Sequence, residues 1–140
     1  MALKSLFPEE MMENQGSGLT LETIAGKLSY FYEELHLLHF QTTSYAEHQA
    51  LGIIYDKVGD FQDEIVEKIM GYSGKRVRAY KIDALKDYST GMPNQVVREL
   101  VKFANDLEEF GEANNMPDIE NIAQSLSGEA SQTLYRLTLS

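Results

Sequence analysis

The fold is decided by the stretch "HLLHFQTTSYAEHQ", residues 36–49, which carries the end of one predicted helix and the start of the next. Ser44 and Glu47 have the spacing of a capping box, in which each side chain accepts a hydrogen bond from the other residue's backbone N–H. The letters "QTT" at residues 41–43 leave room only for a tight turn between the two helices. The sequence therefore predicts an antiparallel helical hairpin centred on this stretch.

Apolar residues recur at helical spacing on both sides of this turn. Steps of three and four residues put side chains on one face of an α-helix, which then packs on a core. The first stripe consists of Leu21, Ile24, Leu28, Phe31, Leu35 and Leu38, and the second of Leu51, Ile54, Val58, Phe61, Ile65 and Ile69. Thr20 is the expected N-cap of the first helix, and we expect the second helix to end near Tyr72.

Two further helices follow after a long connection over residues 72–92, in which "IDALKDY" at residues 82–88 predicts a short helix. Pro93 and Pro117 each fit the first position of a helix. Their stripes are Val97, Leu100, Ala104, Leu107 and Phe110, then Ile119, Ile122, Leu126, Ala130, Leu134 and Leu137. Two helices, a long crossover and two more helices predict an all-α, ferritin-like four-helix bundle. We expect one domain over residues 1–140.

The composition narrows the class of protein. The chain has 140 residues without cysteine and a net charge of −10, from 22 acidic and 12 basic residues. We therefore expect no binding to DNA, because affinity for phosphates needs clustered Lys and Arg. No apolar run reaches the ~18 residues of a membrane span, and the first residues lack the apolar region of a signal peptide. The sequence predicts a cytoplasmic protein that does not enter membranes.

Imidazoles and carboxylates concentrate around the predicted hairpin. All three histidines, His36, His39 and His48, lie within residues 36–49. Four acids follow at helical spacing on one face of the second helix: Asp56, Asp60, Asp63 and Glu67. Nitrogen and oxygen ligands of this kind suit iron, zinc or manganese. An acidic helical face that is merely solvated is the alternative interpretation.

A metal site inside the bundle is excluded by the number of histidines. Such di-iron sites need a Glu-x-x-His motif on each of two helices. Glu33 and His36 form one such motif, and the third and fourth helices contain no histidine.

The acidic positions of the second helix are rotated by about 200° from the core stripe of that helix, so they face solvent or a neighbouring molecule.

Distance then predicts a site shared between two chains. His48 and Asp63 are 15 residues apart on one helix, which is about 22 Å at 1.5 Å per residue. The residue pairs His48/Asp63 and Gly52/Gly59 share the midpoint 55.5. If the second helix crosses a copy of itself antiparallel, His48 meets Asp63 of the copy, and the glycines allow a close approach. Histidines of one chain and Asp63 with Glu67 of the other would complete the site.

The spacing of His36, His48, Asp63 and Glu67, in steps of 12, 15 and 4 residues, resembles the ferroxidase ligand pattern of the Dps family of mini-ferritins. The stretch "YDKVGDFQDEIVEKIMGYSG" (55–74) is similar to that family's second-helix signature, and "ALKDYS" (84–89) resembles its short crossover helix. The stretch "HFQTTSYAEHQALGIIYD" (39–56) is similar to Dps-like proteins of tailed phages. The resemblance implies oxidation of iron(II) by peroxide or oxygen at two-fold interfaces, at one or two bound ions, often within a hollow twelve-subunit shell.

The chain also departs from that pattern. The family usually follows its first histidine with Trp, and His39-Phe40 resembles that dipeptide with the turn shortened by three residues, whereas the spacing itself selects His36. Both histidines stay candidates, with His39 nearer the turn. A Lys-rich terminal tail, which many members use on DNA, is missing. A dimer and a larger shell both remain open.

Two other interpretations use the same residues. In the first, the protein is a non-enzymatic helical assembly protein whose histidines and acids pair across the contact as a device that fixes register. In the second, the site holds zinc or manganese without redox chemistry. Four tyrosines crowd the same region, and aromatic packing is the default interpretation for them: Tyr30, Tyr32, Tyr45 and Tyr55.

Overall fold

The computed structural model describes residues 18–139, which form four helices and no strand. The helices are α1 (Leu21–Gln41), α2 (Tyr45–Ser73), α3 (Met92–Ala113) and α4 (Pro117–Leu137). The predicted all-helical arrangement of four helices is therefore confirmed for this range, with α3 beginning one residue before Pro93. None of the four helices combines the length and apolarity needed to cross a lipid bilayer. The single domain over residues 1–140 stays a prediction.

The core consists of the predicted apolar stripes. All six stripe residues of α1 are buried, and those of α2 are buried except for Phe61, which is partly buried. Each buried Leu or Ile contributes about 1.5–3 kcal/mol relative to an exposed one. The helices pack as two pairs, α1 with α2 and α3 with α4, and the pairs meet through α2 on α4 and α1 on α3. This packing turns the opposite sides of α1 and α2 outward.

The α1–α2 turn has a different hydrogen-bond arrangement from the predicted capping box. Ser44 caps α2 as expected, because its hydroxyl accepts from the N–H of Glu47 at 3.2 Å. The predicted reciprocal bond, from the N–H of Ser44 to the Glu47 side chain, is wrong, because this N–H donates to the Thr42 hydroxyl at 3.1 Å. The Glu47 carboxylate instead accepts from the hydroxyls of Thr42 and Tyr88, at 2.6 and 2.7 Å. Two hydroxyl donors thus draw Glu47 away from its own helix cap.

The connection between α2 and α3 corrects another prediction. Residues 75–89, called the strap from here on, contain no helix, so the short helix predicted over 82–88 is wrong. Side chains of α1 accept its backbone N–H groups: Glu22 from Arg78 at 2.8 Å, Glu34 from Lys86 at 2.7 Å and Gln41 from Tyr88 at 2.7 Å. These bonds to α1 replace the backbone bonds that a helix would have made within the strap.

The strap determines the directions of the four helices. Its contacts follow chain order along α1, from Glu22 near the start of that helix to Gln41 at its end. The strap therefore carries the chain back along α1, and α3 begins beside the C-terminal end of α1. It follows that α3 runs parallel to α2 and antiparallel to α1, while α4 returns after a short turn.

The strap approaches α1 most closely at Gly26, where an added Cβ would collide with the carbonyl oxygen of Lys81. We expect Gly26→Ala to lower the free energy of unfolding by roughly 1 kcal/mol or more, because the strap must shift. Gly128→Ala is the matched control, since a Cβ there meets nothing within 4 Å. It should raise the free energy of unfolding by about 0.5–1 kcal/mol. Urea denaturation measures both, and effects of the same sign would contradict the tight contact.

Candidate metal site

His39 and His48 form a reciprocal pair across the α1–α2 turn. Their rings stack with centroids 3.9 Å apart and planes 15° from parallel. Nδ1 of His39 lies 2.8 Å from the backbone oxygen of His48, and Nδ1 of His48 lies 2.9 Å from that of His39. A carbonyl oxygen can only accept a hydrogen bond, so both Nδ1 atoms must carry the proton. In the neutral rings the lone pair is then on Nε2, in the plane of each ring. Because the two rings are stacked, one of them must turn before both Nε2 atoms can bind the same ion.

The structure gives a reason within the single chain for the glycines of α2. A Cβ on Gly52 would lie 3.0 Å from Cε1 of His39, and a Cβ on Gly59 would lie 3.1 Å from Cε2 of Tyr32. Both glycines therefore make room for rings of the same chain. The rings of α1 account for both glycines without a second chain, and the predicted pairing of Gly52 with Gly59 across a two-fold contact stays a prediction.

His36 lies one turn before His39 and is held between aromatic rings. Its ring stacks on Tyr55, with centroids 4.1 Å apart and planes 9° from parallel, and also contacts Phe40 at 4.3 Å. The centroids of His36 and His39 are 6.2 Å apart. The structure thus brings His39 and His48 into direct contact and leaves His36 in the neighbouring aromatic packing.

The predicted acidic face lies on the outside of the bundle. All four acids of this face are exposed, which confirms that it points away from the chain's own core: Asp56, Asp60, Asp63 and Glu67. Asp63 borders a groove of about 420 Å³ between α1 and α2. It also borders a second groove, of about 250 Å³, which we call the apolar groove after its walls Val66, Met70, Val77 and Tyr80.

One chain does not bring the histidines and the acids together. Within residues 18–139, no three His, Asp or Glu side chains of a single chain are close enough to hold one ion. His48 and Asp63 belong to the same continuous helix, so about 22 Å of helix separates them. The structure therefore contains two separate groups of candidate ligands, an imidazole pair at the start of α2 and exposed carboxylates beyond its middle.

Glu34 is a buried acid that the sequence analysis did not select. Its side chain is fully buried, Oε1 accepts from the Lys86 N–H at 2.7 Å, and Oε2 has no hydrogen-bond partner among the described residues. Burial raises the pKa of Glu34 and outweighs the lowering by the Lys86 N–H bond and the Lys86 charge, and the charges of Asp87 and Glu99 add to the rise. The sequence contained a signal for this burial, because Glu34 lies three residues after Phe31 and therefore on the core side of α1.

Tyr30 lies one turn before Glu34 and responds to the same environment. Burial, followed by the neighbouring Glu34 carboxylate, raises the pKa of Tyr30 to about 12. The phenol therefore stays protonated over the whole physiological range. It packs edge-on against Phe31 with ring centroids 5.4 Å apart, which supports the interpretation of this tyrosine as a packing residue.

Together the described residues define an all-helical protein with an imidazole pair at one end of α2 and an acidic outer face. The chain belongs to a family of unknown function (DUF5856), which it matches over residues 39–137. It is also similar to the "Uncharacterized 14.6 kDa protein in mobD-ri intergenic region" of Enterobacteria phage T4. The two are 27% identical over 104 residues, which is 74% of this chain and 77% of the phage protein. No solved structure matches.

Proposed function

We propose that this is a phage-encoded, ferritin-like protein that binds iron(II) at sites shared between two chains and oxidises it. The observation that carries the proposal is the reciprocal His39–His48 pair, in which both Nδ1–H groups are held by backbone carbonyls. Histidines that ligate metals usually donate their other ring N–H in this way, which fixes the ring and its tautomer. Iron, zinc and manganese all accept such ligands, and the Dps resemblance favours iron.

The helix directions support the ferritin-like part of the proposal. Two antiparallel pairs joined by a connection that runs the length of α1 is the layout of ferritin-like bundles with one long crossover. The phage T4 relative supports a phage origin. An acidic chain without cysteine suits the host cytoplasm and does not favour DNA binding.

In the proposed site, His39 and His48 come from one chain, and Asp63 and Glu67 come from a copy that crosses it antiparallel. The exposure of both acids supports this arrangement, because their carboxylates remain available to another molecule. His36 is engaged between Tyr55 and Phe40. We therefore assign it to the support of the imidazole pair, and His39 to the ligand set.

Iron(II) would be the substrate of this site. With hydrogen peroxide as oxidant, two iron(II) ions each lose one electron, and the peroxide takes two electrons and two protons to give two waters. Two neutral imidazoles and two carboxylates carry a net charge of −2, which stabilises the product iron(III) more than iron(II). The same ligands would hold zinc or manganese without such a reaction.

Anaerobic calorimetric titration of iron(II) into chelator-stripped protein tests the ligand set. We expect about one site per chain in the wild type, because a two-fold contact forms each site twice. His39→Ala and His48→Ala should weaken binding by at least about ten-fold, and His36→Ala should retain it. Loss of binding in His36→Ala alone would contradict the choice of His39. No binding by the wild type would leave the assembly protein as the better interpretation.

A further inference from the structure

Two aromatic side chains are exposed at the tip of the α1–α2 hairpin. Phe40 is 68% exposed and Tyr45 is 75% exposed, and we call the two residues the aromatic tip. Phe40 rests on the His36 ring at 4.3 Å, and the Tyr45 hydroxyl accepts from the Gln49 amide at 2.5 Å. Burying a side chain of this size is worth about 1.5–3 kcal/mol, so the tip offers a strong contact to another surface.

The apolar groove at the other end of α2 has the chemistry and the size to receive such a side chain. Its walls Val66, Met70, Val77 and Tyr80 come from α2 and the strap, and its volume is about 250 Å³. A cavity of about 150 Å³ is enough for benzene, so one aromatic ring fits. Asp63 and Glu67 border the same groove.

The tip cannot reach the groove of its own chain. Tyr45 and Val66 are 21 residues apart on the continuous helix α2, which is about 31 Å. Tyr45 and Asp63 are 18 residues apart, about five full turns, so both point to the same side of α2. A second molecule lying along that side would therefore meet the aromatic tip at one end and the acids with their groove at the other.

The register of the two features matches a two-fold axis. Tyr45 and Val66 have the midpoint 55.5, which is also the midpoint of His48 and Asp63. An antiparallel crossing of α2 at this point brings the first member of each pair onto the second member in the other chain, and a two-fold axis forms each contact twice. The same crossing brings the imidazole pair, which lies beside the tip, towards the carboxylates of the other chain, which lie beside the groove.

From these observations we infer that the aromatic tip of one chain docks on a second copy of this chain, with the Tyr45 ring in the apolar groove of that copy. The contact would flank the shared metal site and hold its two halves in register. The inference rests on the antiparallel contact of the proposed function and needs none of its metal chemistry. It also gives the exposed Phe40 and Tyr45 a partner surface, which is the groove of the second copy; the groove of their own chain is out of their reach.

Disulfide trapping tests the contact directly, because the chain has no cysteine of its own. Tyr45→Cys and Val66→Cys proteins are mixed with a chelator and oxidised with diamide. We expect a covalent heterodimer, since the two Cα atoms must come within about 7 Å to form the bond. Lys57→Cys is the matched control, because Lys57 faces α4 through its ion pair with Glu129. Linkage of Tyr45→Cys to Lys57→Cys or to itself at the same yield would overturn the inference.

A second measurement uses no cross-link. The Phe40→Ser/Tyr45→Ser variant, checked for wild-type helical content by circular dichroism, should lose the two-chain assembly in light scattering with chelator present. An unchanged molar mass would overturn the inference. Cross-linking without iron binding would refute the proposed metal function and support the contact. Iron binding without cross-linking at residues 45 and 66 would refute the contact and leave the metal site standing.

Discussion

An equal mixture of two inactive variants is expected to recover about a quarter of the wild-type rate of iron(II) oxidation. The first variant, His39→Ala/His48→Ala, lacks the imidazole half of the site, and the second, Asp63→Ala/Glu67→Ala, lacks the carboxylate half. Alone, each should show no oxidation above buffer. In a mixed dimer, the histidines of the second variant face the acids of the first, and one of the two sites is intact.

The recovered fraction follows from random pairing. Half of the dimers in an equal mixture contain both variants, and each of these has one intact site where the wild type has two, which gives about one quarter. Exchange of chains needs a brief exposure to mild denaturant, with circular dichroism to confirm recovery of the helices. Asp60→Ala/Glu64→Ala is the matched control for the second variant, because both acids are exposed near Asp63 and have no place in the ligand set, so it should oxidise iron(II) at the wild-type rate.

Two results would contradict the shared site. Oxidation by either double variant alone at the wild-type rate would exclude these residues as ligands. Two inactive variants that stay inactive after verified exchange would mean that each site takes all its ligands from one chain. The single-chain structure makes the second result unexpected, because His48 and Asp63 are about 22 Å apart along α2.

The sequence predicted those parts of the fold that depend on local pattern. The α1 stripe from Leu21 to Leu38 is buried throughout, because a spacing of three and four residues fixes one helical face whatever packs on it. Pro117 begins α4 as predicted, and Thr20 caps α1. The exposure of Asp63 and Glu67 follows from the same periodicity. Each of these features is determined by residues that are close together in the sequence.

The predictions that failed or stayed open concern partners that are distant in the chain. Residues 82–88 were predicted to form a short helix, but the N–H of Lys86 bonds to Glu34, 52 residues away, and the strap forms no helix. From the sequence alone, Gly52 and Gly59 could make room either for a second chain or for side chains of α1. Only the structure shows that the rings of His39 and Tyr32 lie against them. Local pattern cannot contain this information, since it is created when α1, α2 and the strap pack together.

The buried carboxyl group of Glu34 gives the second large expected effect. Burial raises its pKa, so the folded protein binds this proton more tightly than the unfolded chain does. Its stabilising contribution is therefore present in full below the ordinary pKa of glutamate and is lost as the pH rises through the raised pKa. Within that window the free energy of unfolding should fall by up to about 1.4 kcal/mol per pH unit.

Glu34→Gln separates the charge of this residue from its hydrogen bond. The amide oxygen can still accept from the Lys86 N–H, but the side chain cannot ionise, so the variant should gain stability relative to the wild type between about pH 5 and about pH 8. Glu34→Ala removes the hydrogen-bond acceptor as well, and it should lower the free energy of unfolding by about 1–3 kcal/mol at both pH values.

Urea denaturation at both pH values measures these differences. Glu33→Gln is the matched control, because Glu33 is the neighbouring glutamate but is exposed; it should keep the wild-type dependence on pH. If the difference in free energy of unfolding between Glu34→Gln and the wild type is the same at both pH values, burial does not raise the pKa of the Glu34 carboxyl group. Because the Glu34 side chain bonds the strap to α1, ionisation of Glu34 is expected to loosen the strap before the helices separate.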